Sequence, residues 1–319
     1  MTVVDTVCCA CCGVAEVDDV KLKMCDDGCD LVKYCSDECQ EIHREQHEEE
    51  CMKRKSELHD DIKLFTQSEM SHHGECPICC LPLPLDPAKS ALMTCCCKLI
   101  CMGCNYTNKK REIDQGLEQR CAFCREPAPK SQEEGLKQIM KRIKRNDPVA
   151  MTEMAKKHLE EGDYGKSLKY LTQAAELGDA TANGILGGLY RTGEGIEKDE
   201  KKAVYHLEQA AIGGHTSARS LLAKYEMMNC RFERAVKHQI IAVNLGYEPS
   251  LKPIKYMFVA GIVSKEEYAA ALRGFQAAVN EAKSAEREKG EAFFESMEVQ
   301  MQIDCIDAHN FDFSARKQG

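Results

Sequence analysis

The sequence has no tryptophan, few aromatic residues and no long apolar run. Aromatic side chains make up 6% of the 319 residues, and no stretch approaches the roughly 20 apolar residues that a membrane-spanning helix needs. The opening residues, MTVVDTVCCACC, show neither the basic nor the apolar region of a secretory signal. We therefore expect an intracellular protein, cytoplasmic or nuclear, that has no contact with a membrane.

Basic charge is scarce in the N-terminal part of the chain. Residues 1–130 carry 16 Lys and Arg against 24 Asp and Glu, whereas residues 131–319 carry 27 against 28. Such a surface repels phosphate, so we expect no nucleic-acid partner.

Cysteine, by contrast, is abundant and unevenly placed. Of the 21 cysteines, 19 lie between Cys8 and Cys124. Without a secretory signal we expect a reducing compartment, where such clusters bind metal more often than they form disulfides. The 19 cysteines fall into two blocks, at about 8–51 and 76–126. A loose redox-active thiol cluster is the alternative interpretation of the first block.

The first block contains four close pairs of candidate zinc ligands. Thiolates and imidazoles in close pairs, separated by longer loops, are typical of tetrahedral structural zinc. His47 and Cys51, the last pair, are four residues apart in a helical context, so both side chains share one helix face. The pairs are Cys9 and Cys12, Cys25 and Cys29, Cys35 and Cys39, and His47 and Cys51.

The order of these ligands, with Tyr34-Cys35 and Cys39-Gln40, resembles the MYND zinc finger. The resemblance implies two interleaved sites, one of Cys9, Cys12, Cys35 and Cys39 and one of Cys25, Cys29, His47 and Cys51. Cys8 and Cys11 have the same spacing as Cys9 and Cys12, but the family usually places glycine where Gly13 follows Cys12. The Cys25 pair is one residue wider than in the family, and Arg44 stands where the family has a tryptophan of its peptide-binding surface.

The second block resembles a RING finger, again with two interleaved zinc sites. The resemblance implies a first site of Cys76, Cys79, Cys101 and Cys104, and a second of Cys121, Cys124 and two of the three consecutive cysteines Cys95, Cys96 and Cys97. The family pattern maps best onto Cys95 with Cys97, and the pair Cys95 with Cys96 is nearly as good. The two blocks together predict four zinc ions per chain.

A RING finger implies a ubiquitin ligase without a covalent catalytic residue of its own. Such ligases hold a charged ubiquitin-conjugating enzyme and orient the donor for attack. The resemblance places Ile78 at the contact with the conjugating enzyme and Arg125 at the position that clamps the donor ubiquitin. Ala122 departs from the family, which usually has proline there. The alternative interpretation is a RING-shaped fold that only binds partners.

The C-terminal part of the sequence repeats itself. Residues 167–182 align with 203–218 at an offset of 36, and residues 235–250 follow at an offset of 32. Gly178, Gly214 and Gly246 end the second helix of each unit, where a left-handed residue is favoured. The middle unit resembles a Sel-1-like repeat nearly throughout. The resemblance implies a stack of helix pairs that binds proteins, since one pair cannot bury its apolar face alone.

The predicted fold is therefore two small zinc-stabilised α+β modules, one MYND and one RING-like cross-brace, followed by an all-α solenoid of helix pairs. The predicted segments are a MYND finger at 1–52, a helical linker at 53–75, a RING-like finger at 76–126, a connector helix at 127–146, a solenoid at 147–283 and a helical to disordered tail at 284–319. The predicted function is a RING-type ubiquitin ligase that recruits substrate through the solenoid and MYND finger. A non-catalytic adaptor for protein partners is the alternative.

Overall fold

The structure is a computed structural model of the chain, and it describes residues 8–16, 21–26 and 29–296. The predicted tail beyond residue 296 and the first seven residues lie outside the described residues. The chain divides into two compact units, Met1–Thr66 and Gln67–Gly319. Within the described ranges no helix is long and apolar enough to cross a lipid bilayer.

The first unit pairs two short strands and continues into one long helix. Strand β1 (Lys23–Met24) pairs antiparallel with β2 (Lys33–Tyr34). Helix α1 (Asp37–Phe65) begins where the Ser36 side chain accepts a hydrogen bond from the Cys39 amide. Asp37 and Glu38 in its first turn complement the helix dipole. This helix is continuous across the predicted segment boundary at residue 52.

Near the start of the second unit lies the cysteine-rich segment 76–126, which we call the RING-like module after its sequence resemblance. A 3₁₀ turn (Pro87–Lys89) leads into the antiparallel hairpin of β3 (Ser90–Met93) and β4 (Lys98–Cys101), which is followed by α2 (Met102–Asp114). Ile100 of β4 and Leu83 are buried together, with 0% and 4% of their surface exposed. The module thus has a small apolar core besides its cysteines.

A connector and a stack of helix pairs make up the remainder of the second unit. The helices are α3 (Gln132–Ile143), α4 (Pro148–Glu160), α5 (Tyr164–Glu176), α6 (Ala180–Thr192), α7 (Glu200–Ile212), α8 (Thr216–Met228), α9 (Phe232–Asn244), α10 (Leu251–Val259) and α11 (Lys265–Glu281). Helices α4 to α9 are each 13 residues long. Residues 285–296 are also helical.

Local signals in the sequence set the ends of these helices. The Asp147 side chain caps α4 ahead of Pro148, and Ser264 with Glu267 forms the capping box of α11. Gly178, Gly214 and Gly246 adopt the predicted left-handed conformation, with φ of 85°, 81° and 83°. These stops let the chain reverse after each helix, so successive helices pack as antiparallel neighbours.

Small residues let the stacked helices approach closely. Ala174, Ala210 and Ala242 are completely buried in the second helices of the three repeats. A β-carbon on Gly187 of α6 would come within 2.7 Å of the Leu207 side chain of α7, so this crossing admits only glycine. The helical-repeat solenoid that the sequence predicts is confirmed.

Candidate metal centres

Cys9, Cys12, Cys35 and Cys39 form the first of four cysteine clusters. The Sγ atoms of Cys12 and Cys35 lie 3.5 Å apart, and those of Cys35 and Cys39 lie 3.6 Å apart. Four thiolates at about 2.3 Å from a zinc ion would be about 3.8 Å from one another. The cluster therefore has the size of a tetrahedral zinc site.

The second cluster of the first unit is completely buried. It consists of Cys25, Cys29, His47 and Cys51. The Sγ atoms of Cys25 and Cys51 are 3.9 Å apart, and Nε2 of His47 lies 3.0 Å from Sγ of Cys29. Because α1 supplies His47 and Cys51 from adjacent turns, both ligands face the same site, as their spacing predicts.

His43, one turn before His47, takes no part in either cluster. Its Nδ1 lies 3.0 Å from the hydroxyl of Tyr34, and its ring stacks on that of His47. Tyr34 is itself 1% exposed. His43 is thus held against the finger as a neighbour of a ligand.

The RING-like module holds the third cluster, formed by Cys76, Cys79, Cys101 and Cys104. The Sγ atoms of Cys79 and Cys101 are 3.8 Å apart. Cys101 also caps α2, since its sulfur accepts a hydrogen bond from the Cys104 amide at 3.5 Å. The N-terminus of a helix favours negative charge and so stabilises the thiolates that a metal requires.

The fourth cluster selects two of the three consecutive cysteines. It contains Cys95, Cys96, Cys121 and Cys124, with Sγ distances of 3.3 Å from Cys95 to Cys124 and 3.9 Å from Cys96 to Cys121. The preferred pairing of Cys95 with Cys97 is therefore not the one that the structure brings together. Cys97 adopts a left-handed conformation (φ 53°), and its side chain packs with Ile139 and Met154.

The turns that carry three of the ligand pairs have the same backbone conformation. The residue after the second cysteine is left-handed in each: Gly13 (φ 74°), Cys80 (φ 55°) and Arg125 (φ 64°). Its amide donates to the carbonyl of the first cysteine, over 2.9 Å at Gly13 and Cys80 and 3.0 Å at Arg125. The repetition explains why Cys9 and Cys12, rather than Cys8 and Cys11, enter a cluster: Gly13 supplies the left-handed position without strain.

The surroundings of the sulfur atoms shift their pKa values in opposite directions. Burial opposes ionisation of Cys9, but the amides of Cys12, Cys35 and Cys11 outweigh it and lower the pKa of Cys9 to about 6. Hydrogen bonds with the side chains of Cys12 and Cys39 raise the pKa of Cys35 to about 12. Because neighbouring thiolates repel one another, the four sulfurs of a cluster can ionise together only around a cation.

The donor set fits zinc in all four clusters. Three clusters are purely thiol and one has three thiols and an imidazole, which are the ligands of structural zinc sites. Every described cysteine is a free thiol, without a disulfide. In each module the first and third ligand pairs share one cluster and the second and fourth share the other, so both modules are cross-braced. The four clusters could each hold a zinc ion.

Sequence analysis missed one buried residue that forms several hydrogen bonds near these clusters. Arg287 lies in helical residues 285–296, within the segment predicted as a tail, yet it is 2% exposed. Its Nη2 lies 3.4 Å from Sγ of Cys79. The available signal was Gly290, a glycine inside an otherwise helical pattern, which often marks a close backbone contact.

Ligand clusters and helix pairs together define a zinc-finger protein with a helical-repeat solenoid. The MYND finger family model matches residues 9–51, and the Sel1 repeat model matches residues 148–179 and 182–215. The chain therefore contains a MYND finger and Sel1 repeats, as the sequence motifs predicted. Both are domains through which proteins generally bind other proteins.

Two solved repeat structures match part of the chain. A Sel1 repeat protein from Oxalobacter formigenes is 22% identical, with a TM-score of 0.40 over 56% of this chain and 71% of that chain. A protective antigen of uropathogenic Escherichia coli that displays an SLR fold is 16% identical, with a TM-score of 0.36 over 53% of this chain and 37% of that chain. No curated protein matches the chain significantly.

Proposed function

We propose that this protein is a RING-type ubiquitin ligase. Residues 76–126 would dock a ubiquitin-conjugating enzyme, while the MYND finger and the Sel1 repeats would recruit protein substrates. The observation that carries the proposal is the position of Ile78 and Arg125 on one groove beside a pair of interleaved cysteine clusters. Ligases of this kind work by holding and orienting two proteins, so a docking groove suffices.

The groove is mainly apolar and open to a partner. It has a volume of about 520 Å³, and its lining on the finger side includes Ile78, Thr107, Asn108, Ala122 and Arg125, together with Cys79, Cys101 and Cys104 of the third cluster. Ile78 is 41% exposed although it lies between two metal ligands. An exposed isoleucine on a metal-stiffened turn is a suitable anchor for an apolar side chain of a docked protein.

Arg125 lies at the edge of the same groove in a restrained position. Its Nη1 donates to Oδ1 of Asn108 over 2.7 Å and lies 3.7 Å from Oε1 of Glu112. Glu112 is buried, whereas the Arg125 side chain remains 48% exposed. A guanidinium that is held on one side and exposed on the other can donate hydrogen bonds to carbonyls of a neighbouring protein.

A scaffold without ligase activity is the second candidate. Ala122 lines the groove at the position where RING ligases usually have proline. Glu286 and Arg287, from the C-terminal part of the chain, line the same groove and narrow it from the opposite side. Under this alternative the three modules each hold a protein partner, and no ubiquitin is transferred.

An autoubiquitination assay with the full chain and a panel of conjugating enzymes separates the two candidates. We expect Ile78→Ala and Arg125→Ala each to lower ubiquitin transfer by at least about tenfold, as for central contacts of an interface. Ile113→Ala is the matched control, because Ile113 is an isoleucine that is 59% exposed and lies outside the groove lining. All variants should retain four zinc ions. Absence of transfer with every conjugating enzyme would favour the scaffold.

A further inference from the structure

The last described helical residues pack against the RING-like module. We call residues 284–296 the C-terminal arm. Glu291 of the arm accepts from Nζ of Lys89 over 2.9 Å, and the ring of Phe293 lies 4.8 Å from that of Tyr106. The Ser284 side chain caps the arm by accepting from the amide of Arg287. The arm thus has its own start signal and its own contacts with the module.

Two glycines bring the arm into backbone contact with α2. A β-carbon on Gly103 would lie 2.7 Å from the Arg287 amide, and one on Gly290 would lie 2.7 Å from the Met102 carbonyl. Contacts this short involve backbone atoms that cannot rotate away, so neither position accepts a larger residue. The close crossing places Arg287 directly over the third cysteine cluster.

The Arg287 guanidinium forms hydrogen bonds with the turn that carries Cys76 and Cys79. Its Nη1 donates to the carbonyls of Pro82 and Ala282, over 2.7 and 2.6 Å. Its Nη2 donates to the carbonyl of Leu81 over 3.1 Å and reaches Sγ of Cys79 at 3.4 Å.

The charge of Arg287 requires a nearby negative group. The side chain is 2% exposed, and in the described part of the chain no carboxylate forms an ion pair with it. A buried cation is costly unless an anion compensates it. A zinc ion with four thiolates carries a charge of about −2, and it would lie next to the guanidinium. The third cluster with its metal is thus the counter-ion that the fold provides.

We propose that Arg287 is a positioning residue for the metal site of Cys76, Cys79, Cys101 and Cys104. Arg287 is more than 200 residues from this site's Cys79 in sequence but in contact with it in the fold. It donates a hydrogen bond to a ligand sulfur, neutralises part of the site's charge and holds the ligand turn. The RING-like module then extends beyond residues 76–126 and includes the C-terminal arm. The inference concerns the metal site and stands whether or not the protein is a ligase.

The test compares variants of the full-length protein by two metal readouts. The first is the ¹¹³Cd NMR spectrum of the cadmium-substituted protein, where Cys79→Ser identifies the resonance of the third site. The second is the rate at which each of the four zinc ions is lost to a chelator. The variants are Arg287→Gln, Arg287→Lys and Gly290→Ala. The matched controls are Arg273→Gln, an exposed arginine of α11, and Gly188→Ala, a helical glycine with open space around it.

We expect Arg287→Gln to shift one cadmium resonance and to speed the loss of one zinc ion by about tenfold or more, as for other partners of metal ligands. Arg287→Lys should give an intermediate rate, because it keeps the charge but loses the two-pronged donor. Gly290→Ala should reproduce the effect of Arg287→Gln without removing a polar group. Both controls should behave as the wild type.

Four unchanged resonances and four unchanged rates in Arg287→Gln would overturn the proposal. A Gly290→Ala variant that melts earlier but keeps the resonance of the third site would overturn it as well, since the arm would then stabilise the fold without acting on the metal. If Arg287→Gln does not fold, Arg287→Lys and Gly290→Ala still decide between these outcomes.

Discussion

In the MYND finger the buried cluster consists largely of the metal ligands themselves, whereas the RING-like module adds apolar residues and outside supports. Apart from cysteines, the buried cluster of the first unit contains Leu22 and Tyr34. The RING-like core includes Leu83 and Ile100 with Met93, Leu99 and Ala122 packed against it, whereas Val32 is the corresponding non-cysteine residue around the first unit's cluster. Because a cluster of ligands is held together by the metal, we infer that the MYND finger depends on zinc more completely than its neighbour does.

Outside supports reach the RING-like module from three directions within the second unit. Cys97 packs in the same apolar cluster as Ala150 of α4. Just before the module, the amide of His72 donates to the carbonyl of Gly214 over 3.1 Å, and the His72 ring stacks on that of His215. The C-terminal arm adds Arg287. A small zinc module gains stability in this way from the solenoid that follows it in the chain.

Removal of zinc should reveal the difference between the MYND finger and the RING-like module most strongly. With excess chelator we expect residues 9–51 to lose amide protection first, the RING-like module to follow at higher chelator concentration, and α4 to α9 to remain protected. A structural zinc site contributes about 10–16 kcal/mol to folding in small modules, which exceeds what the first unit's few apolar residues can replace. Hydrogen exchange with mass spectrometry measures all three regions in one sample.

The control is the same protein with zinc restored, which should recover protection in both modules. Simultaneous loss of protection in both modules would contradict a difference in zinc dependence. Loss in α4 to α9 at the same chelator concentration would show that the solenoid also depends on the metal.

Replacement of single cysteines in the run 95–97 gives the next largest effect. Cys96→Ser should reduce the zinc content from four ions to three, because it removes a ligand. Cys97→Ser should keep four ions but lower the free energy of unfolding by about 1–3 kcal/mol, since it buries a hydroxyl among apolar side chains. Metal analysis and chemical denaturation distinguish the two variants.

Cys80→Ser provides the baseline for these variants, because Cys80 is exposed and outside the clusters. A Cys97→Ser protein with three zinc ions would mean that Cys97, and not Cys96, serves the fourth site.

The smallest expected effect comes from the histidines between the module and the solenoid. Burial lowers the pKa of His72 to about 2 and that of His215 to about 4. Between pH 6.5 and 4 the unfolded chain therefore binds protons that the folded histidines do not, and stability falls as the pH falls. His215→Asn keeps a side-chain cap for α8 and should make the stability of the second unit less dependent on pH.

Protonation of cysteines also releases zinc at low pH, so the measurement is the difference between His215→Asn and wild type at each pH. The protection of amides in α8 and α9 is a suitable readout. Parallel pH profiles for the two proteins would show that the buried histidines contribute nothing to the pH dependence.

Motifs with a local physical cause could be predicted from the sequence. The pairs around Cys9, Cys76 and Cys121 need only a short turn with a left-handed residue, and the helix ends at Asp147 and Gly178 need only a cap. Each of these signals lies within a few residues of the feature that it determines. The ligand pairs and the repeat boundaries therefore follow from the spacing of the residues, whereas the grouping of the pairs into interleaved sites was implied by the family resemblances.

Features that depend on distant contacts could not be predicted in this way. Cys95, Cys96 and Cys97 are chemically identical, and the choice among them follows from the turn after β3 and from packing against Ile139. Arg287 belongs to a charged segment that by itself indicates a solvated helix, because its acceptors at Leu81 and Pro82 lie more than 200 residues earlier.

That long separation has a consequence for the order of folding. During synthesis the cysteines of the RING-like module leave the ribosome well before Arg287 exists, so the module first forms without its arm. Closing a loop of this length costs an unfolded chain about 5 kcal/mol of entropy, but the helix pairs of the solenoid fold locally and shorten the distance to be closed. The ligand turn at Cys79 should therefore reach its final state only after Arg287 has left the ribosome.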